Sequence, residues 1–150
     1  MQEPKLIIGG LAIDDRGELT FNNDFDMSKI KRYYMVSNHR CHFIRAWHGH
    51  KKEEKYVTVI SGSAIIGAVK INNWDNPKSY ANQNSKVYRF ILSAKKPNII
   101  YIPAGYANGF MNLEKDTKLI FFSTSTLEES KGDDYRFNIR CWDCWNIEER

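Results

Sequence analysis

Short runs of β-forming residues recur along this chain at intervals of roughly ten residues, and they constrain its fold more than any other feature. The runs are rich in Val, Ile, Tyr, Phe and Thr, and clusters of Gly, Asn, Pro or charged residues separate them. A 3.6-residue periodicity is almost absent, which argues against a parallel α/β sheet. We therefore predict an all-β sandwich or small barrel of antiparallel strands. The predicted strands are residues 33–37, 43–49, 55–60, 63–70, 87–92, 99–103 and 117–123.

Few helices are expected beside these strands. A brief helix is predicted over residues 25–31, where Asp26 or Ser28 can cap it. A second is predicted over residues 126–131, because Thr126 precedes two glutamates there. A Ser-Gly-Ser segment between the third and fourth predicted strands indicates a tight turn.

Composition excludes several classes of protein. Hydrophobic residues make up 42% and charged residues 27% of the chain, values typical of a globular protein, and we predict a single domain over residues 1–150. Apolar runs fall far short of the ~20 residues of a membrane span, and an apolar leader is not evident, so a cytoplasmic protein with no membrane partner is expected. The excess of 22 Lys and Arg over 18 Asp and Glu is scattered; it suits an anionic small ligand and does not indicate a nucleic-acid partner. The three cysteines are predicted to be reduced thiols.

A pair of histidines is the main chemical feature of the sequence. His48 and His50 lie two positions apart on a predicted strand, so they share one face of it. A buried polar group without a partner costs ~1–3 kcal/mol, so the pair requires polar surroundings or a ligand. The plainer alternative is an edge strand with solvated histidines. We expect the other two histidines, His39 and His42, to be surface residues.

Two motifs around this pair resemble the cupin superfamily. His48-x-His50-x-x-x-Glu54 followed by a glycine resembles the first cupin motif, and residues 103–112 resemble the second, with Asn108 at the position of its histidine. The resemblance implies a double-stranded β-helix, that is, a jelly-roll barrel. Because Asn108 replaces a metal-ligating histidine, we predict no metal and no other cofactor. A metal-dependent cupin enzyme that uses His48, His50 and Glu54 remains an open alternative.

Within the cupins, the sequence resembles nucleotide-sugar enzymes. Five segments, in order, are similar to the dTDP-4-dehydrorhamnose 3,5-epimerase family, and the region around the histidine pair also resembles dTDP-sugar 3,4-ketoisomerases. The five segments are Asp14-Asp-Arg16-Gly17, Arg45-Ala-Trp-His48, Lys55 with Val57, Val59 and Gly62, residues 102–110, and Trp142-Asp143.

This resemblance implies an isomerase that epimerises C3, C5 or both in a nucleotide-linked 4-keto-6-deoxyhexose, used for surface-glycan precursors. Histidine suits removal of a proton beside a ketone because its unperturbed pKa of about 6.5 lies near working pH. Alternatives are a 3,4-ketoisomerase and a non-catalytic module that binds sugar nucleotides. The candidate catalytic residues are His48 as the base, His50, Lys55 as the enolate partner and Asp143 as the group that orients His48; the candidate substrate-binding residues are Arg16 and Arg45 for the diphosphate, Tyr106 and Asn108.

Two features depart from the pattern of the family or complicate it. The tyrosine that serves these epimerases as an acid corresponds here to Phe122 or Phe121, and phenylalanine cannot donate a proton. The options for a replacement acid are His50, Tyr106 and Tyr101. Arg45 and His48 differ by three positions, so a regular strand would place them on opposite faces unless a bulge intervenes.

The resemblance also implies a homodimer formed by exchange of an N-terminal strand, for which residues 6–8 are the candidate here.

Overall fold

Two antiparallel sheets face each other in the computed structural model, which describes residues 2–150. The first sheet has the strand order β1-β9-β6-β11-β4, the second has the order β12-β5-β10-β7-β8, and β2 and β3 form a separate hairpin. This arrangement confirms the predicted all-β jelly-roll fold. The elements are β1 (Lys5–Ile7), β2 (Gly10–Asp14), β3 (Gly17–Phe21), β4 (Arg32–Val36), β5 (Ile44–His50), β6 (Lys55–Ser61), β7 (Ser63–Lys70), α1 (Tyr80–Gln83), β8 (Val87–Ser93), β9 (Ile99–Ile102), β10 (Tyr106–Asn112), β11 (Lys118–Ser123), α2 (Leu127–Lys131) and β12 (Tyr135–Arg136), with a 3₁₀ turn at Ile139–Cys141.

All the predicted strands are present, but the sequence pattern does not predict β2, β3, β12 or the central strand β10. Its Ala-Asn-Gly sequence is typical of a loop, yet β10 is buried along its whole length between β5 and β7. The close packing requires a glycine at position 109, because a Cβ atom there would lie only 2.5 Å from the Cβ of Ala46. The predicted tight turn between β6 and β7 is confirmed. Its Gly62 has a φ of +76°, and an added Cβ would lie 2.3 Å from Thr117 Oγ1.

One of the two predicted helices is confirmed and the other is wrong. Thr126 caps α2 in a capping box, in which its hydroxyl accepts from the amide of Glu129 and the Glu129 carboxylate accepts from the amide of Thr126. Residues 25–31 form turns instead of a helix. There the Asp26 carboxylate accepts from the amide of Ser28 at 2.9 Å, so it closes a local turn.

Two apolar clusters hold the sheets in place. The first fills the space between the two sheets, with Ile66, Leu92, Ile100 and Leu119 fully buried. The second lies on the outer face of the second sheet. The C-terminal segment covers that face with aromatic side chains, so the tryptophans serve as core residues. Its large members are Trp47, Phe137, Trp142 and Trp145, and Trp74 packs at the edge.

The N-terminal segment forms an edge strand of the first sheet. Leu6 of β1 lies opposite Ile100 of β9, and this segment is the one expected to exchange between subunits. The hairpin β2–β3 has large apolar side chains on its surface, and Ile13 and Leu19 are 71% and 63% exposed. Within residues 2–150, no helix is long and apolar enough to cross a membrane.

Candidate active site

A cavity of about 370 Å³ opens between the two sheets at the histidine end, a size within the range of small-molecule sites. Its lining is rich in cationic side chains, which reach it from both sheets and from the segment around α2. Such a lining favours an anionic ligand. The charged residues that line the cavity are Arg32, Arg45, Lys55, Lys131, Asp134 and Arg136, together with His48 and His50.

A bulge in β5 brings Arg45 and His48 to the same cavity. His48 lies opposite Asn108 of β10, whereas Arg45 lies opposite Phe110, so the register shifts by one residue between them. An extra residue reverses the alternation of faces, which resolves the objection raised by their spacing. The Asn108 amide donates to the carbonyl of His48 at 3.2 Å, and Asn38 accepts from Arg45 Nε at 2.7 Å.

The imidazole of His48 is half-buried in this wall. Burial lowers its pKa to about 4, and the positive charges of Arg136 and Lys55 act in the same direction. The ring is therefore neutral near pH 7 and can accept a proton there.

His50 lies deeper than His48 and contacts a buried carboxylate. Its Nδ1 atom lies 2.6 Å from the carbonyl oxygen of Asp133 and 3.0 Å from Oε2 of Glu53. Glu53 is 2% exposed. Burial on its own would raise the pKa of Glu53, but hydrogen bonds from His50 and Ser123 and the charge of Lys55 lower it to about 2.

The facing wall holds an ammonium group and a phenol in direct contact. Lys55 of β6 is 7% exposed, and its Nζ donates to the hydroxyl of Tyr34 on β4 at 2.9 Å. The ring of Tyr34 stacks on Phe121 of β11 with 5.2 Å between centroids. Arg32 also reaches the cavity from β4. The two walls therefore place imidazoles on one side and an ammonium–phenol pair on the other.

The two phenylalanines that the sequence offers for the family's tyrosine position point in opposite directions. Phe121 faces the cavity, whereas Phe122 packs on the outer face against Phe25, with 5.1 Å between centroids. Tyr34 lies directly opposite Phe121 in the neighbouring strand. A phenol is thus present on the cavity wall next to Phe121. The sequence reveals that either Tyr33 or Tyr34 points inward but does not reveal this pairing.

The structure does not bring Asp143, Arg16 and Tyr106 into the cavity. Asp143 accepts from the amide of Trp145 at 3.1 Å in a separate depression, so the expectation that it orients His48 does not fit its placement. Arg16 lies in the β2–β3 turn and pairs with Asp14 at 2.5 Å. Tyr106 is 4% exposed and belongs to the apolar core between the sheets.

Acidic and basic groups missed by the sequence reasoning lie in the segment that follows α2. Asp134 lines the cavity beside the histidines and accepts from Arg136 Nε at 3.1 Å. Lys131 lies at the end of α2 and reaches the same cavity. No motif marks these residues. The cluster of charged residues after α2 was the sequence feature that could have indicated them. The pairing of β12 with β5 brings this cluster beside the histidines.

Tyr101 and Glu54 contact each other outside the histidine cavity. The Tyr101 hydroxyl donates to the Glu54 carboxylate, and both residues line a different depression near Lys5. Burial, together with the hydrogen bond and charge of Glu54, raises the pKa of Tyr101. Glu54 is therefore not assembled with His48 and His50 as a ligand set. Among residues 2–150, no group of three or more His, Cys, Asp or Glu residues is placed to hold a metal ion.

Fold and cavity together define a cupin-type domain with a ligand site that is lined by basic side chains. Residues 13–142 match the family model described as dTDP-4-dehydrorhamnose 3,5-epimerase, and the chain belongs to that family, whose members are isomerases. This match confirms the resemblance inferred from the sequence. No curated protein sequence is significantly similar to the chain.

Several solved structures share this fold. The dTDP-4-dehydrorhamnose 3,5-epimerase of Elizabethkingia anophelis is 20% identical with a TM-score of 0.74, over 99% of this chain and 84% of that one. The Bacillus anthracis enzyme of the same description, solved with TDP and pyrophosphate bound, is 21% identical with a TM-score of 0.72, over 92% of this chain and 80% of that one. A 3,4-ketoisomerase of Helicobacter canadensis is 20% identical with a TM-score of 0.65, over 91% and 92%.

Proposed function

We propose that this protein is a nucleotide-sugar epimerase that acts on a 4-keto-6-deoxyhexose linked to dTDP or another nucleoside diphosphate. The observation that carries the proposal is the division of chemistry between the cavity walls. His48 lies on one wall, and the contact between Lys55 and Tyr34 lies on the other. Inversion at a carbon beside a ketone requires removal of a proton from one face and its return to the other.

The mechanism follows from these positions. The neutral imidazole of His48 takes the proton from a carbon next to the ketone, and the ketone oxygen becomes an enolate. Lys55 stabilises that oxyanion, because a fixed ammonium in a partly buried site interacts strongly with developing negative charge. Tyr34 then donates its phenolic proton to the opposite face, and the Lys55 ammonium stabilises the phenolate that remains.

The cationic lining supports recognition of a diphosphate. Guanidinium groups bind phosphate oxygens through paired hydrogen bonds, and Arg45 and Arg136 both line the cavity. Asn108 also lines the cavity, opposite His48 in the neighbouring strand, and is a further polar contact for substrate.

A homodimer is part of the proposal. The exposed apolar residues of the β2–β3 hairpin, such as Ile13 and Leu19, favour contact with a second copy. Such a contact is the means by which Arg16, at the tip of that hairpin, would reach a diphosphate in the partner's cavity. Light scattering of the purified protein tests this arrangement: a monomer at micromolar concentration would contradict it.

The cell compartment and pathway are also proposals. Cys41, Cys141 and Cys144 are free thiols, which suits a reducing cytoplasm. Synthesis of surface-glycan precursors is the process that uses sugars of this class.

The second candidate reaction is 3,4-keto transfer on the same class of substrate. His48 and His50 lie on the same wall, so two imidazoles are available on one face of the sugar. Proton movement between adjacent carbons on one face exchanges the positions of the ketone and the hydroxyl, whereas epimerisation uses both faces.

Incubation in deuterated water with a panel of nucleotide-linked 4-keto-6-deoxy sugars tests both reactions. Mass spectrometry counts the deuterium, and NMR locates it. Deuterium at C3 with inverted configuration supports single epimerisation, and label at both C3 and C5 supports double epimerisation. A product with its ketone at C3 supports keto transfer. Binding of the sugar nucleotide without any label or product would contradict the proposed activity.

A further inference from the structure

The surroundings of His50 define which of its ring nitrogens carries the proton. Nδ1 faces the carbonyl oxygen of Asp133 at 2.6 Å and Oε2 of Glu53 at 3.0 Å. The backbone carbonyl can only accept a hydrogen bond, and so can the Glu53 carboxylate when it is ionised. Nδ1 must therefore be the donor. In the neutral ring, Nε2 then has a free lone pair.

The other nitrogen of His50 is buried and unpartnered. Nε2 has no hydrogen-bond partner among residues 2–150, although His50 is only 5% exposed. His50 lines the same cavity as His48 and Lys55. A buried nitrogen with a lone pair, at the wall of a polar cavity, is an acceptor for a ligand donor.

Glu53 is held in place by contacts on every side. Ser123 donates to its Oε1, Arg32 Nη2 donates to the same oxygen at 3.2 Å, and Ser130 donates to Oε2 at 3.3 Å. The side chain of Glu53 has no solvent exposure. These donors keep the carboxylate ionised and fix its direction toward the His50 ring.

We infer that Glu53 is a positioning residue, which holds His50 with the proton on Nδ1 and presents Nε2 as the acceptor for a sugar hydroxyl beside the reacting ketone. The inference rests on the proposed function for the identity of its ligand. In keto transfer, the same nitrogen takes the O3 proton as the C3 carbonyl forms and returns it to O4, while His48 moves the carbon-bound hydrogen from C3 to C4. All atoms of the substrate are then conserved.

The first test needs no substrate. Nitrogen-15 NMR of the histidine rings in the full-length wild-type protein distinguishes a protonated from an unprotonated ring nitrogen. We expect the Nδ1–H form of neutral His50. An Nε2–H form would overturn the inference even if the enzyme were an active epimerase.

The second test compares two neighbouring carboxylates. Glu53→Gln keeps the shape and removes the charge, and we expect kcat to fall on the order of 10²-fold with little change in KM. Glu54→Gln is the matched control, because Glu54 points to Tyr101 in another depression, and its kcat should equal that of the wild type. Equal kcat in Glu53→Gln and the wild type would overturn the inference.

A third pair of variants separates positioning from mere structural damage. Ser123→Ala removes a donor to Glu53 but leaves its contact with His50, so its kcat should stay well above that of Glu53→Gln. Glu53→Asp should recover part of the lost kcat. If Ser123→Ala lowered kcat as far as Glu53→Gln does, the role of Glu53 would be structural only. If no sugar of the panel reacts, the proposed function fails, and nitrogen-15 NMR of the His50 ring in wild type and Glu53→Gln still decides the positioning role.

Discussion

The two walls of the cavity are built by the same kind of antiparallel sheet but hold different chemistry. The wall of β5 and β10 presents the imidazoles of His48 and His50, and the wall of β4, β6 and β11 presents Lys55 and Tyr34. A base is useful on a wall where burial and cations keep it neutral, as for His48. The Lys55 ammonium contacts the Tyr34 phenol, where it can stabilise a phenolate. In the proposed mechanism, this division of roles between the walls, more than any single residue, specifies the stereochemistry.

The largest expected effect comes from removal of the base. His48→Asn should lower both turnover and deuterium exchange at the reacting carbon by about 10²–10⁴-fold, because the loss removes proton abstraction itself. His39→Asn, at an exposed histidine, should behave as the wild type. Unchanged deuterium exchange in His48→Asn would assign proton abstraction to another group. The two walls would then not differ in the way proposed.

Removal of the phenol should separate the two halves of the reaction. Tyr34→Phe keeps the ring stacked on Phe121 but loses the proton donor, so inverted product should fall by about 10²-fold while exchange at the reacting carbon persists. Tyr33→Phe is the matched control on the outer face of the same strand, where Tyr33 is 62% exposed. Equal loss of exchange and product would argue that Tyr34 acts before the enolate forms.

The charge beside His48 should be visible in the pH profile. Arg136 lowers the pKa of His48, so Arg136→Gln should raise that pKa from about 4. The base is active when neutral, so the acidic limb of kcat/KM should move to higher pH in this variant. Loss of a phosphate contact should also raise KM by about tenfold. A limb that stayed in place would remove His48 as the titrating base.

The smallest effect is expected at Phe121, the candidate for the family's tyrosine position that faces the cavity. Phe121→Tyr should change turnover by less than about fivefold, since Tyr34 already supplies a proton on that wall. In the Tyr34→Phe background, the same substitution should restore inverted product. Phe122→Tyr, on the outer face, should restore nothing. Failure of the rescue would favour His50 as the acid and hence keto transfer.

Much of the fold and half of the site were predictable from the sequence for physical reasons. Alternation with a period of two residues places His48 and His50 on one face, and their spacing alone is enough to predict it. The bulge that brings Arg45 beside them depends on the local register of β5 against β10, which leaves no mark in the sequence. The position of Asp143 was also not predictable from the sequence, because its neighbours depend on how the C-terminal segment packs.

The pairing of Tyr34 with Phe121 illustrates the remaining gap. Residues separated by 87 positions meet across neighbouring strands, and hydrophobic alternation predicts only that each has an inward or outward face. A family motif marks where an acid is lost but not where a replacement arises. The register of two strands, and not their composition, decides that question.

Asp133 joins two loops that lie far apart in the chain. Its carboxylate accepts from the amides of Lys51, Lys52 and Glu53 at 2.7, 2.9 and 2.9 Å, and its carbonyl oxygen accepts from His50. A nascent chain therefore cannot set the histidine geometry until residue 133 has been synthesised and has docked.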